Sequence, residues 1–235
     1  ALVMAEADLP VGARIHNAIR RTRDAVGCNT NLGIVLLCAP LAAAARGAPD
    51  RDLRDRLREV LAGLDVADAE QAFAAIRLAE PAGLGESDEH DVRRPATATL
   101  LAAMAAAAER DRIARQYVTG FHDVFELGVP RLALGLARWS DMRWAITTAY
   151  LGFLAAFADS HIERKHGAAR AEAVRYRAAQ LDAELLSQAS PAAMTAALLS
   201  FDAELKAEGV NPGTSADLTV ASLFALRLVT AAPRR

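Results

Sequence analysis

Residues 26–45 read VGCNTNLGIVLLCAPLAAAA. From Leu32 to Ala45 the run carries no charge, yet it falls short of the roughly 20 residues that a bilayer-spanning helix needs. A run of this length, rich in alanine and leucine, reads as a helix buried on most sides. Asn29 or Thr30 stands where an N-cap belongs, since a side-chain oxygen there can accept from the first-turn N–H groups. The helix is expected to reach about Arg46, with a kink at Pro40. A helix of this kind needs other helices around it.

Working outward, the same periodicity recurs and no segment alternates as a strand would. Ile15, Ile19, Thr22 and Val26 fall on one face of a helix over residues 12–26. Leu53, Leu57, Val60 and Leu61 mark a third helix, and Ala69–Leu78 a fourth. Residues 80–95, EPAGLGESDEHDVRRP, are polar and glycine-bearing and read as a mobile surface loop. Long helices are expected at about 97–118, 140–166 and 169–189. Another is bracketed by Ser190 as N-cap, Pro191 at its first position and Gly209 past its end. Thr214 and Asp217 are spaced as a capping box opening the last helix. With no internal repeat and no linker, the expectation is an all-α, single-domain multi-helix bundle over residues 1–235. The chain opens at Ala1, already apolar and without an initiator methionine, so a further N-terminal segment is expected.

Composition narrows the function. Apolar residues make up 53% of the chain and aromatics only 5%, so small aliphatic side chains carry the core. A formal net charge of −2 argues against nucleic acid or a membrane surface as partner. Cys28 and Cys38 are the only cysteines, neither a disulfide framework nor a zinc site, which suits the cytoplasm. There is no GxxxxGK[ST] loop, no strand-borne GxGxxG and no HExxH. His161 and His166 are five apart, off the spacing that would put two ligands on one helix face. His16, His90 and His122 have no pattern around them.

Three polar islands remain, each at the end of an apolar helix: GCNTNLG (27–33), ADSHIERKHG (158–167) and NPGTSADL (211–218). In the second, Asp159, Glu163 and His166 fall at helical spacing on one face, flanked by Arg164 and Lys165. The first and third feed helix N-termini, whose N–H groups and dipole suit an anion. Two such ends beside an acidic and basic helix end make a cradle for a metal–polyphosphate, provided the three islands converge. Taken singly, each island also reads as a cap or a solvated helix end.

CNTNLGIVLLCAPLAAA, DSHIERKHG and NPGTSADLTVASLF resemble, in that order, three motifs of the triphosphoribosyl-dephospho-CoA synthase family. The resemblance covers most of residues 14–229. It implies an all-α enzyme that joins the ribose of ATP, triphosphate attached, to a ribose hydroxyl of dephospho-CoA and releases adenine. Asn29, Thr30 and Gly33 match the first motif, while Asn31 and Leu32 stand where the family has histidine and lysine. Asp159, Arg164, His166 and Gly167 match the second. Pro212, Gly213, Ser215, Ala216, Asp217 and Leu218 match the third.

By that resemblance, Asp159 and Asp217 take metal or oxocarbenium roles, with Mg²⁺ on the phosphates. Glu163 is the candidate general base, so Asp159, Glu163 and Asp217 form the catalytic set. Arg164 and Lys165 hold phosphate, and Asn29 and Thr30 hold phosphate or ribose. Asn31, Gly33, His166, Gly213 and Ser215 complete the nucleotide contacts. Asp123 and Glu126 in GFHDVFELGVP are reserve carboxylates. The implied partners are ATP and a small-molecule acceptor, with a homodimer as the candidate assembly. Two alternatives stand beside this reading. One is a pentosyl transferase for a tetrahydromethanopterin-type cofactor. The other is a non-catalytic helical nucleotide-binding protein.

Overall fold

The computed structural model describes residues 2–28, 30–47, 51–81 and 89–231. Every element among them is helical, and none is a strand. In order they are α1 (Leu2–Ala5), α2 (Val11–Val26), α3 (Leu32–Ala45), α4 (Leu53–Ala62), α5 (Val66–Ala79), α6 (Leu100–Ala107), α7 (Arg112–Thr119), α8 (Val129–Trp139), α9 (Met142–Ala156), α10 (Ser160–His166), α11 (Ala168–Ser187), α12 (Thr195–Ala207) and α13 (Gly213–Ala231). A π turn, Val124–Gly128, precedes α8, and a 3₁₀ turn, Pro191–Met194, precedes α12. None of the described helices is long and apolar enough to cross a membrane. The all-α expectation is met. The chain groups into two compact units, Ala1–His122 with Phe224–Arg235, and Asp123–Leu223.

In the first unit α3 packs against α4, α2 and α7. It is buried along most of its length, from Val35 through Ala42 and again at Ala44. Pro40 lies inside it and has no N–H to give the carbonyl four residues back. That carbonyl belongs to Leu36, and the buried Tyr117 hydroxyl donates to it at 2.7 Å. Burial, with Asp68 adding, pushes the Tyr117 phenol well above its usual pKa. α2 meets α5 backbone to backbone, since a Cβ on Gly12 would lie 2.4 Å from the Asp68 carbonyl oxygen. Arg14, only 1% exposed, donates to the carbonyls of Val3, Met4, Glu6 and Leu9 at 2.8–3.1 Å. This fastens the N-terminal turns to α2.

In the second unit α9 packs against α8 and α11, and α10 packs on α11. Gly135 lets α8 approach α9, because a Cβ there would lie 2.6 Å from the Ala145 Cα. Arg131 of α8 grips Asp182 of α11 through two bonds, of 3.1 and 2.6 Å. Leu151, Leu154, Ile162, Val174, Leu181 and Phe201 belong to the core beneath α10 and α11.

Several boundaries depart from the sequence reading. The helix expected over 97–118 is two helices, because Asp111 caps α7 by accepting from the N–H groups of Ile113 and Ala114. The one expected over 140–166 is also two, α9 and α10, broken at Phe157, whose backbone is extended. The helix α8 was not anticipated. The segment after Ser190 opens as a 3₁₀ turn before α12. The last helix begins at Gly213, so Thr214 sits inside its first turn. The first island's N-cap position falls on Asn31, not on Asn29 or Thr30. Of the loop expected over 80–95, residues 82–88 lie outside the described residues.

Candidate active site

The second and third islands meet in the second unit, and Asp159 joins them. After α9 ends, Asp159 takes an extended backbone and becomes the N-cap of α10. Its Oδ1 accepts from the N–H groups of His161 at 2.9 Å and Ile162 at 3.2 Å. Its Oδ2 accepts from Ser215 of α13, from the backbone N–H and from the hydroxyl, each at 2.8 Å. The side chain is 0% exposed. One buried carboxylate thus lies at the positive ends of two helices. Four donors match the roughly four acceptor sites of an ionised carboxylate.

A second seam runs alongside. The Ser160 and Thr214 hydroxyls share a hydrogen bond at 2.9 Å. The His161 N–H also donates to Thr214 Oγ1, at 3.2 Å. The His161 ring lies against Gly213, where a Cβ would stand 3.3 Å from the ring Cγ. Burial lowers the His161 pKa, the Arg164 cation adds to that, and Asp159 opposes it. Tyr150 is pushed well above the usual tyrosine value, by burial first and then by Asp159 and Asp202.

The outer face of α10 is different. Glu163, Arg164, Lys165 and His166 are all exposed. Arg164 reaches within 3.5 Å of the His161 Nδ1. Asp217 and Gly213 are half-buried in the opening turns of α13.

The expected site residues therefore divide. Glu163, Arg164, Lys165 and His166 present charge to solvent, and Asp217 is partly accessible. Asp159, expected as a metal ligand or reacting carboxylate, accepts from donors of its own chain on both oxygens. It is also not on the helix face of Glu163 and His166; it precedes that helix. Ser215, expected as a ligand contact, is 0% exposed with its hydroxyl on Asp159. The third island's helix end already has an anion in that same carboxylate.

The first island lies in the first unit. Asn29 is outside the described residues. Thr30 is exposed and Gly33 half-buried. Asn31 is the N-cap residue of α3, but its side chain makes no capping hydrogen bond. Its Nδ2 donates to Thr22 Oγ1 at 3.1 Å. Its Oδ1 is buried and has no hydrogen-bond partner among the described residues. Of the reserve carboxylates, Asp123 is buried just before the π turn and Glu126 is exposed within it.

Sequence reading missed Ser160, His161 and Thr214 as members of this junction. The Asp-Ser-His order was a usable cap signal for α10. No local signal could pair Asp159 with Ser215, which lies 56 residues away. Among the described residues no three His, Cys, Asp or Glu side chains gather as a metal-binding group.

The family model for ATP:dephospho-CoA triphosphoribosyl transferase matches residues 2–234. No curated protein matches the chain closely enough to count as a relative. A protein from Archaeoglobus fulgidus, whose crystal structure is described as that of a triphosphoribosyl-dephospho-CoA synthase, superposes with a TM-score of 0.74 at 25% identity. That match covers 97% of this chain and 93% of the other. With its all-α fold and the second and third motifs joined through Asp159, the chain belongs to the ATP:dephospho-CoA triphosphoribosyl transferase family, enzymes that transfer a triphosphoribosyl group from ATP to dephospho-CoA.

Proposed function

We propose that the exposed face of α10 is where this transferase receives the triphosphate of ATP. Arg164 and Lys165 carry the positive charge, with His166 beside them. Leu32 stands where the family has lysine and carries no charge.

The reaction breaks the glycosidic bond between C1′ of the ATP ribose and adenine and forms a bond from C1′ to a hydroxyl oxygen of dephospho-CoA. The hydroxyl loses a proton and the departing adenine gains one. Glu163, exposed on α10, takes the proton from the attacking hydroxyl. Asp217 faces the positive charge that builds on the ribose as the bond to adenine lengthens. The donor set fits Mg²⁺ that arrives on the triphosphate, because such an ion keeps most of its ligands from phosphate and water and needs one or two carboxylates. Asp217 is the partly accessible carboxylate for that purpose. The ion would neutralise phosphate charge. ATP as donor suits the expected cytoplasmic setting.

The observation that carries this reading is the Asp159 junction, which brings the charged face of α10 and the opening turns of α13 together. The test is adenine release from ATP with dephospho-CoA as acceptor. Lys165→Ala should raise the KM for ATP, and Glu163→Gln should lower kcat by about 10²-fold or more. If both variants keep wild-type kinetics, α10 is not the reacting face.

A further inference from the structure

We propose that Asp159 and Ser215 are positioning residues for the transfer, holding the N-termini of α10 and α13 to one buried carboxylate and so fixing where the α10 cations stand. This rests on the reading of Arg164 and Lys165 as triphosphate contacts.

Helix α10 depends on its surroundings for its position. It has 7 residues, too few to be stable on its own helicity. Only Ser160 and Ile162 within it are buried, and Glu163 through His166 are exposed. At its far end Gly167 takes a φ of 85°, which frees the chain to turn into α11. The position of α10 is therefore set by Ile162 in the core, by its packing on α11 and by hydrogen bonds at its start.

Those hydrogen bonds form a doubled seam. Asp159 accepts two donors from α10 and two from Ser215. Thr214 accepts from His161 and shares its hydroxyl with Ser160. One segment contributes residues 159–162 and the other residues 214–215. Each bond is directional, so a small slide of α10 along α13 breaks several together. Gly213 adds a steric condition, because its missing side chain leaves room for the His161 ring. The two elements held this way are the ones that carry the accessible charged residues Lys165 and Asp217. A displacement of about 1 Å at such a junction is enough to spoil catalytic geometry.

The experiment uses the full chain and measures initial rates of adenine release, per folded molecule, with ATP and dephospho-CoA varied separately. Ser215→Ala removes one donor and leaves the carboxylate with its backbone bonds. It should raise the KM for ATP about 5-fold or more while the KM for dephospho-CoA moves less than about 2-fold. Thr214→Val should act in the same direction, and Thr214→Ser, which keeps the hydroxyl, should restore wild-type kinetics. The control is the pair Arg164→Ala with Lys165→Ala, which removes both α10 cations. Adding Ser215→Ala to that pair should raise the KM for ATP no further, because all these losses act through the same two cations. An unchanged KM for ATP in Ser215→Ala alone, or a further rise when it is added to the pair, would overturn the positioning role. If the pair itself leaves the KM for ATP unchanged, the triphosphate reading fails instead, and the positioning role falls with it.

Discussion

Asp159 has no solvent contact, and what offsets the burial of a carboxylate there is four donors at two helix ends. An amide in its place would turn an N–H₂ toward at least one of those donors. Asp159→Asn is therefore expected to destabilise the protein by about 3 kcal/mol, read as a lower urea midpoint. An unchanged midpoint would show that the donors find other partners. His161 gives a pH dependence with a definite sign. Its folded pKa lies below the ordinary value of 6.5, so the folded state disfavours the protonated ring. The stabilisation is complete above about 6.5 and is lost as the pH falls below it. Urea unfolding at pH 7.5 and at pH 5.5 should show a larger loss of stability in the wild type than in His161→Gln. Equal losses would mean His161 does not titrate differently on folding. At this scale the sequence singled out Asp159, Lys165 and Asp217 but not which of them is buried. A buried carboxylate and an exposed one look alike until the chain that covers them is in place.

Helices α2, α4, α5 and α11 lie close to where the apolar spacing puts them, because a face such as Ile15 and Ile19, or Leu53, Leu57 and Leu61, has to be buried. The breaks before α7 and α10 were not legible. An apolar run leads directly to Asp159, and only Glu109 and Arg110 separate Asp111 from an alanine run. In both places an aspartate turns its carboxylate onto the next helix, with no glycine or proline to mark the break. Buried α3 shows the converse. Pro40 was expected to bend it, and the orphaned Leu36 carbonyl has a side-chain donor in Tyr117, 81 residues away. Tyr117→Phe should cost about 1–2 kcal/mol by leaving that carbonyl unpaired. The same change should cost less when combined with Pro40→Ala, which restores a backbone N–H at the right place. Chemical denaturation of the two single variants and the double variant tests this. Strictly additive losses would show that Tyr117 does not stand in for the missing amide. Gly135→Ala, which pushes a methyl onto the Ala145 backbone, should destabilise by about 1–3 kcal/mol, and a neutral thermal melt would contradict the close approach of α8 to α9.

For the whole molecule, the order of three short motifs on an all-helical chain was enough to point to the family, and the family match over residues 2–234 agrees. The second and third islands meet as expected, through a residue whose part had been read differently. The first belongs to the other compact unit, and its Asn29 lies outside the described residues. The central claim is that the ribose of ATP leaves adenine for a hydroxyl of dephospho-CoA with its triphosphate attached. The most direct measurement is chromatography of purified full-length protein incubated with ATP, Mg²⁺ and dephospho-CoA. Adenine should appear one for one with the dephospho-CoA consumed, and the product should contain the triphosphate. Appearance of ADP, AMP or inorganic phosphate in place of adenine, or adenine release at the same rate without dephospho-CoA, would contradict it.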